Sequence, residues 1–234
     1  MLRSVEPEWL DILPADDPSA QRSRRDLQRV NAWMRHPQIL SRILTRVIRP
    51  KPSFTVIDLG GGDGRLMLHL ARDLGWRDVR LTIVDRQNLI TRETREAFAA
   101  LNWSVEPVVA DIRDWLARPS SDRTDVMIAN LVLHHFTDDE LAACLQGIEK
   151  RARVFVACEP RRAHRAIVGA RLLWLIGCNT VSLHDAWTSV RAGFMGMELS
   201  QLWPSDSNCS LQEYAAGLFT HCFLAQYQRS GNDV

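Results

Sequence analysis

No stretch of this 234-residue chain is apolar for long enough to cross a bilayer: the longest run, Leu172-Leu173-Trp174-Leu175-Ile176, has about a quarter of the residues a spanning helix needs. Five cysteines (Cys144, Cys158, Cys178, Cys209 and Cys222) are scattered without the paired spacing of a zinc site. Their odd number, the lack of a secretory leader and their mostly apolar neighbours lead us to expect reduced structural thiols and a cytoplasmic protein. The formal net charge is only +1, so no general attraction to polyphosphate or nucleic acid is expected. Internal repeats and low-complexity linkers are absent as well. With 46% hydrophobic residues the chain has enough apolar surface for a sizeable core, and residues 1–234 read as one domain.

The first fifty residues show no strand-like alternation. Apolar positions recur at three- and four-residue steps through Leu27, Val30 and Met34, which predicts a helix; Pro37 interrupts it, and a second helix is expected over 38–49. From Phe54 the pattern changes. Short runs rich in Val, Ile and Leu at 55–59, 80–84, 105–110, 126–129 and 154–157 alternate with helical stretches at 65–74, 89–100, 112–117 and 138–150. Continuous apolar strands are those covered by helices on both faces, so the expected architecture is an α/β, mostly parallel, doubly wound sheet.

Ligands of such sheets bind outside the carboxyl ends of the strands. There the first strand releases into Asp58-Leu59-Gly60-Gly61-Gly62-Asp63-Gly64, the second ends at Asp85, the third is followed by Asp111 and the fourth reaches Asn130. A dinucleotide fingerprint would require glycine at 65, where the chain has Arg65. Asp58 and Asp63 also place negative charge where a pyrophosphate would otherwise sit. A cofactor carrying an ammonium group and no phosphate fits that charge better. A carboxylate at 85, ending the second strand, suits two ribose hydroxyls; Asp111 suits the adenine amino group, with Arg86 beside the sugar and Ile112 over the ring.

The motif Asp58-x-Gly60-x-Gly62-x-Gly64, followed by Asp85, by Ala110-Asp111 and by Asn130-Leu131-Val132-Leu133-His134-His135-Phe136, resembles class I S-adenosylmethionine-dependent methyltransferases over about residues 54–160. The resemblance implies S-adenosylmethionine as cofactor, with Gly60 and Gly62 beneath its methionine part, Asp85 on the ribose, Asp111 at adenine and Asn130 at the methionine end. It also implies a Rossmann-like sheet of order 3-2-1-4-5-7-6 with strand 7 antiparallel, the last two strands lying at 211–216 and 220–227. N-terminal helices (1–50) and a helical cap insertion (161–204) would flank the cofactor-binding core (54–160), ahead of the closing strands (205–234).

The acceptor side is written outside the glycine core. Asn130 is followed by Leu131-Val132-Leu133 rather than by the two prolines and aromatic of nucleobase amine methylation, and no cysteine follows a proline as cytosine C5 chemistry requires. The tail after the fifth strand is similar to a bacterial subgroup acting on phenolic, quinone and polyketide-type natural products, in which Arg161, Arg162, His184 and Asp185 match by position; Glu159-Pro160 replaces the more usual Asn-Asp. The apolar run 166–176 is expected to wall an acceptor cavity, to pair with a second copy in a homodimer, or to rest on a membrane surface. Arg161, Arg162, Trp174, Trp187 and His184 are the candidate substrate-binding residues. A phenol ionises near pH ~10 and a neutral imidazole near ~6.5 takes its proton as attack proceeds. His184 is therefore the candidate base for O-methylation, His135 its competitor, and Asp185 the group orienting it. C-methylation of a similar acceptor, or a noncatalytic cofactor-binding partner protein, would use nearly the same residues. No metal is expected, because no nearby cysteine or carboxylate completes a site around His134 and His135.

Overall fold

The computed structural model describes residues 1–14, 16–49, 51–120 and 122–228. Three helices come first: α1 (Trp9–Ile12), α2 (Pro18–Trp33) and α3 (His36–Val47). The alternating core follows as β1 (Phe54–Leu59), α4 (Arg65–Leu74), β2 (Val79–Asp85), α5 (Arg92–Ala99), β3 (Trp103–Val109), α6 (Ile112–Ala117), β4 (Thr124–Asn130), α7 (Asp138–Arg151) and β5 (Ala152–Pro160). The cap is α8 (His164–Arg171), a 3-10 turn (Leu172–Ile176), α9 (Thr180–Ala192) and α10 (Glu198–Leu202), before the hairpin β6 (Cys209–Ala216) and β7 (Thr220–Tyr227).

All seven strands form one sheet of order β3-β2-β1-β4-β5-β7-β6, with β7 antiparallel to both neighbours and the β1 to β5 pairings parallel. This is the Rossmann-like architecture expected from the strand pattern. Central β4 and β5 are buried at almost every residue, whereas edge strands β3 and β6 are half-exposed, and β3 carries Pro107 where an edge tolerates a missing donor. Two apolar layers enclose the sheet. One joins Leu40, Leu44, Leu70 and Phe98 to Val56 and Ile83; the other joins Leu141, Leu145, Phe194 and Trp203 to Met127, Phe155 and Phe223.

Local chemistry sets the helix starts. The Thr91 hydroxyl accepts from the Thr94 N–H at 3.2 Å, so α5 begins at Arg92 and not at 89. Thr137 and Glu140 form a reciprocal capping box that fixes the start of α7. Pro37 lies within the first turn of α3, which starts at His36 and not at 38, because its missing N–H falls where no helical partner exists. Two helices went unread in the sequence. Helix α1 spans only Trp9–Ile12, and α9 buries Ser182, Asp185 and Thr188 among its apolar residues, which blurs the hydrophobic stripe. The apolar run 166–176 does not continue as one helix; it tightens into the 3-10 turn at Leu172 and leaves Val168, Trp174 and Leu175 exposed.

The ring of Phe223, fully buried on β7, lies 5.4 Å from Trp203 and 6.1 Å from Phe155. Phe223→Ala is expected to lower unfolding stability by about 3–5 kcal/mol in urea denaturation, whereas Leu218→Ala at the exposed hairpin should change it by less than about 0.5 kcal/mol.

Candidate active site

The glycine loop owes its composition to two close approaches. Gly60 has φ +71°, and a side chain there would meet Val132 Cγ2 at 2.7 Å; at Gly61 a Cβ would fall 2.3 Å from Asp58 Oδ2. Neither position admits a larger residue without displacing the turn after β4 or the Asp58 carboxyl. The Gly62 N–H donates to Asp85 Oδ2 at 3.0 Å and the Gln87 N–H to Asp85 Oδ1 at 3.0 Å. Asp85 is thereby fixed at the end of β2 with acceptor capacity left over for hydroxyl groups.

Asp58 is fully enclosed, and its Oδ2 has no hydrogen-bond partner in the protein. Burial, reinforced by the nearby charge of Asp85, pushes its pKa up to about 8. A buried acceptor without a donor at this rim marks a place for a cationic ligand. The ammonium of an amino-acid moiety supplies that charge, so the residues fit S-adenosylmethionine.

At the adenine end the arrangement differs from the sequence expectation. Asp111 caps α6 by accepting from the Arg113 N–H at 2.9 Å, and its two oxygens also take the Arg113 guanidinium at 3.0 Å and Arg86 at 3.2 Å. The hydrogen bonds from Arg113 hold its pKa down to about 2, even though partial burial acts the other way. Arg86 and Asp111 are thus paired with each other, and an adenine amino group would compete with guanidinium donors there. Ile112 is buried in the core beside Leu116 and Val84. Asn130 ends β4 against His36, whose Nε2 lies 3.0 Å from Thr220 Oγ1; burial lowers the His36 pKa to about 4 despite Asn130 and Glu159 pulling upward, so the ring is neutral.

On the acceptor side, Glu159 is wholly buried at the end of β5. Its carboxylate accepts the Val132, Leu133 and His134 N–H groups at 3.1, 2.9 and 3.4 Å, and it faces His134 Nδ1 at 2.7 Å. The opposite nitrogen of that ring lies 3.3 Å from Glu8 Oε1. Burial alone would depress the His134 pKa; the hydrogen bonds from Glu159 and Glu8 override it and raise it to about 9. A ring so held is a poor proton acceptor at neutral pH. His135 stands beside it, ring centroids 4.3 Å apart and one quarter exposed.

Residues 1–13 run across α9 as a strap. Arg3 donates to Ala192 O, Phe136 O and Asp138, and the Ser4 N–H to Arg191 O. The Asp185 carboxylate receives the Trp9 and Leu10 N–H groups at 2.8 and 3.0 Å, and the indole of Trp9 stacks on His184 at 3.9 Å. His184 Nδ1 lies 3.0 Å from Asp185 Oδ1. The strap therefore gathers His184, Asp185, His134 and His135 around Glu8 and Trp9.

The remaining candidates lie elsewhere. Arg162 is buried and engaged by Met1 O, Gly193 O and Glu198, while Arg161 donates to Gly217 O. Both line a separate cavity of about 520 Å³ with His164, Tyr214 and His221, against the hairpin edge of the sheet. Trp187 is half-buried beneath the Arg191 guanidinium, and Trp174 is exposed. Sequence reasoning missed Glu8, Trp9 and His36. Glu159 had a signal, a lone charge ending an apolar strand; Glu8 had none, lying 126 residues from its histidine.

Residues 56–153 match the family described as a methyltransferase domain. Over those residues, fewer than half of the chain, it is similar to a methyltransferase domain. No curated protein is similar to it by sequence alone. Among solved structures, the plantazolicin methyltransferase BpumL in complex with SAH is 13% identical with a TM-score of 0.64, over 91% of this chain and 92% of that one. An O-methyltransferase family protein from Burkholderia thailandensis is 17% identical with a TM-score of 0.59, over 93% of this chain and 62% of that one. The magnesium protoporphyrin IX methyltransferase from Synechocystis PCC 6803, with bound SAH, is 13% identical with a TM-score of 0.55, over 92% and 90%. These likenesses are of fold. No helix among the described residues is long and apolar enough to cross a membrane.

With its pKa at about 8, Asp58 is mostly protonated at neutral pH, and a cationic ligand would ionise it. Its folded pKa is raised, so its contribution to stability is present below the unfolded value of about 4 and is lost as pH rises through about 8. Cofactor affinity should then strengthen from pH 6 towards pH 8, approaching about tenfold per unit, with proton release in calorimetry across buffers of different ionisation enthalpy. Asp58→Asn should flatten that slope; an unchanged slope in the variant would sink the assignment.

Proposed function

We propose that the protein transfers the methyl group of S-adenosylmethionine to a hydroxyl of a small, largely apolar aromatic acceptor of phenolic, quinone or polyketide type, in the cytoplasm. The His184–Asp185 pair carries this reading. An imidazole with one nitrogen anchored by a buried carboxylate, and one face stacked on an indole, has a fixed orientation and tautomer, which a general base requires. His134 is unsuited because two carboxylates hold it protonated. One of the solved structures named above is an O-methyltransferase family protein of similar fold, and the five free cysteines accord with a reducing compartment.

When bound, the cofactor supplies an electrophilic methyl on a sulfonium. Asp58 would meet its ammonium group, the glycine loop its methionine part and Asp85 its ribose. This chain's own contribution to the transfer is alignment and exclusion of water, with acceptor deprotonation added by His184. The strap closes one side of that space through Trp9, and Asp185 holds both the strap backbone and the base.

A screen of pooled phenols and hydroxyquinones would identify an acceptor, and product analysis would separate oxygen from carbon methylation. With that acceptor, His184→Gln is expected to lower kcat by about 10²–10⁴-fold while cofactor affinity stays unchanged. Full rate in His184→Gln across pH removes the assignment, and a comparable loss confined to His135→Gln transfers the role to that residue.

A further inference from the structure

The expectation that no metal binds rested on the lack of a carboxylate near the paired histidines in sequence. The fold brings one from the strap. Glu8 Oε1 lies 3.3 Å from His134 Nε2 and Glu8 Oε2 lies 3.9 Å from His135 Nε2, and one ligand atom from each of the three residues falls within 4.8 Å of the others. We infer that Glu8, His134 and His135 form a binding site for a divalent first-row transition ion of the zinc type.

Three observations carry it. Ligand atoms around a tetrahedral zinc, with bonds of about 2.0–2.2 Å, stand about 3–3.5 Å apart, so closing this triangle takes shifts of an ångström or so. The Glu8–His135 separation of 3.9 Å is too long for a hydrogen bond yet suits two groups sharing an ion. Glu159, on Nδ1 of His134 at 2.7 Å, is placed as the outer carboxylate that holds the Nδ1 proton of a ligating imidazole, and the ion displaces the Nε2 proton that otherwise faces Glu8. Its other contacts are three backbone N–H groups, which hold it in that position.

The surroundings agree. Glu8, Glu159 and His134 are buried, so little water competes, while the partly exposed His135 leaves a route for the ion and open coordination positions. The nearest guanidinium, Arg3, reaches the backbone oxygens of His134 and Phe136 and the Asp138 carboxylate. Ser189 donates to Glu8 Oε1, leaving Oε2 towards His135. Two imidazoles with one carboxylate and open positions select zinc, iron or nickel over magnesium or calcium. An acceptor hydroxyl bound at an open position would ionise more readily, a use that rests on the proposed methyl transfer; binding of the ion does not.

The test uses the tag-free, metal-stripped full chain without cofactor or acceptor. Cobalt(II) titration followed by visible absorption, paired with zinc calorimetry, is expected to show one ion per chain. Glu8→Gln and His135→Ala should each weaken binding by at least about 10–100-fold, Glu159→Gln by a similar factor, and His69→Gln on α4 should bind like the parent. Thermal melting of each variant verifies folding, and the added ion should raise the Tm of the parent and of His69→Gln alone. Absence of a stoichiometric site in the parent, or equal affinity in Glu8→Gln and His135→Ala, overturns the inference. Because the readout needs no methyl transfer, its failure leaves the proposed reaction standing, and an inactive enzyme that still binds one ion leaves the site standing.

Discussion

The buried carboxylate of Glu159 holds the acceptor side together. It ends β5 in a place where water cannot reach it, and four donors from the turn after β4 compensate its charge. That turn carries Val132, which packs over Gly60, and His134, which reaches Glu8 in the strap. One anion thus links strand β5, the loop beneath which the glycines pass, and the first segment of the chain. Replacing it by an uncharged side chain would leave His134 with Glu8 as its carboxylate partner and three backbone N–H groups without their acceptor.

The cofactor half and the acceptor half obey different physics. The cofactor half is built on backbone geometry: glycines at close approaches, an aspartate pinned by an amide, a helix cap. Within it, Asp58 Oδ2 is buried without a partner among the described residues, and burial together with the Asp85 charge raises the pKa of that carboxyl. In the acceptor half, buried ionic and aromatic side chains meet from distant segments, and a single partner lost would leave another charge stranded. The two halves meet at Asn130, beside the neutral ring of His36.

The sequence made the parallel part of the sheet legible because each of its strands is a short apolar run set between helical stretches. Helices α4 and α6 have the bounds their patterns predict, and strand β7 and the sheet order are those that the resemblance implies. Asp58 and the glycines were legible as one strand-to-helix turn, and Asp85 as the polar end of the next apolar strand. Asp111 was visible as a residue but not as a cap saturated by Arg113 and Arg86, since two arginines near an aspartate look the same in a string whether or not they point at it. Glu8, Trp9 and His36 left no trace, because their partners lie more than a hundred residues away and no periodicity records such a meeting. Arg162, a candidate substrate residue in the Arg161-Arg162 step after β5, braces the cap against the first residue.

The strap and α9 come from regions separated by the whole of residues 54–160, yet they pack on each other. Asp185 fastens them with one carboxylate shared between two amides and an imidazole. Such modularity allows lineages to exchange what they alkylate by rewriting two peripheral stretches in concert, leaving the nucleoside cradle untouched. Drift in either stretch alone would be penalised, so their substitutions should be inherited as a pair.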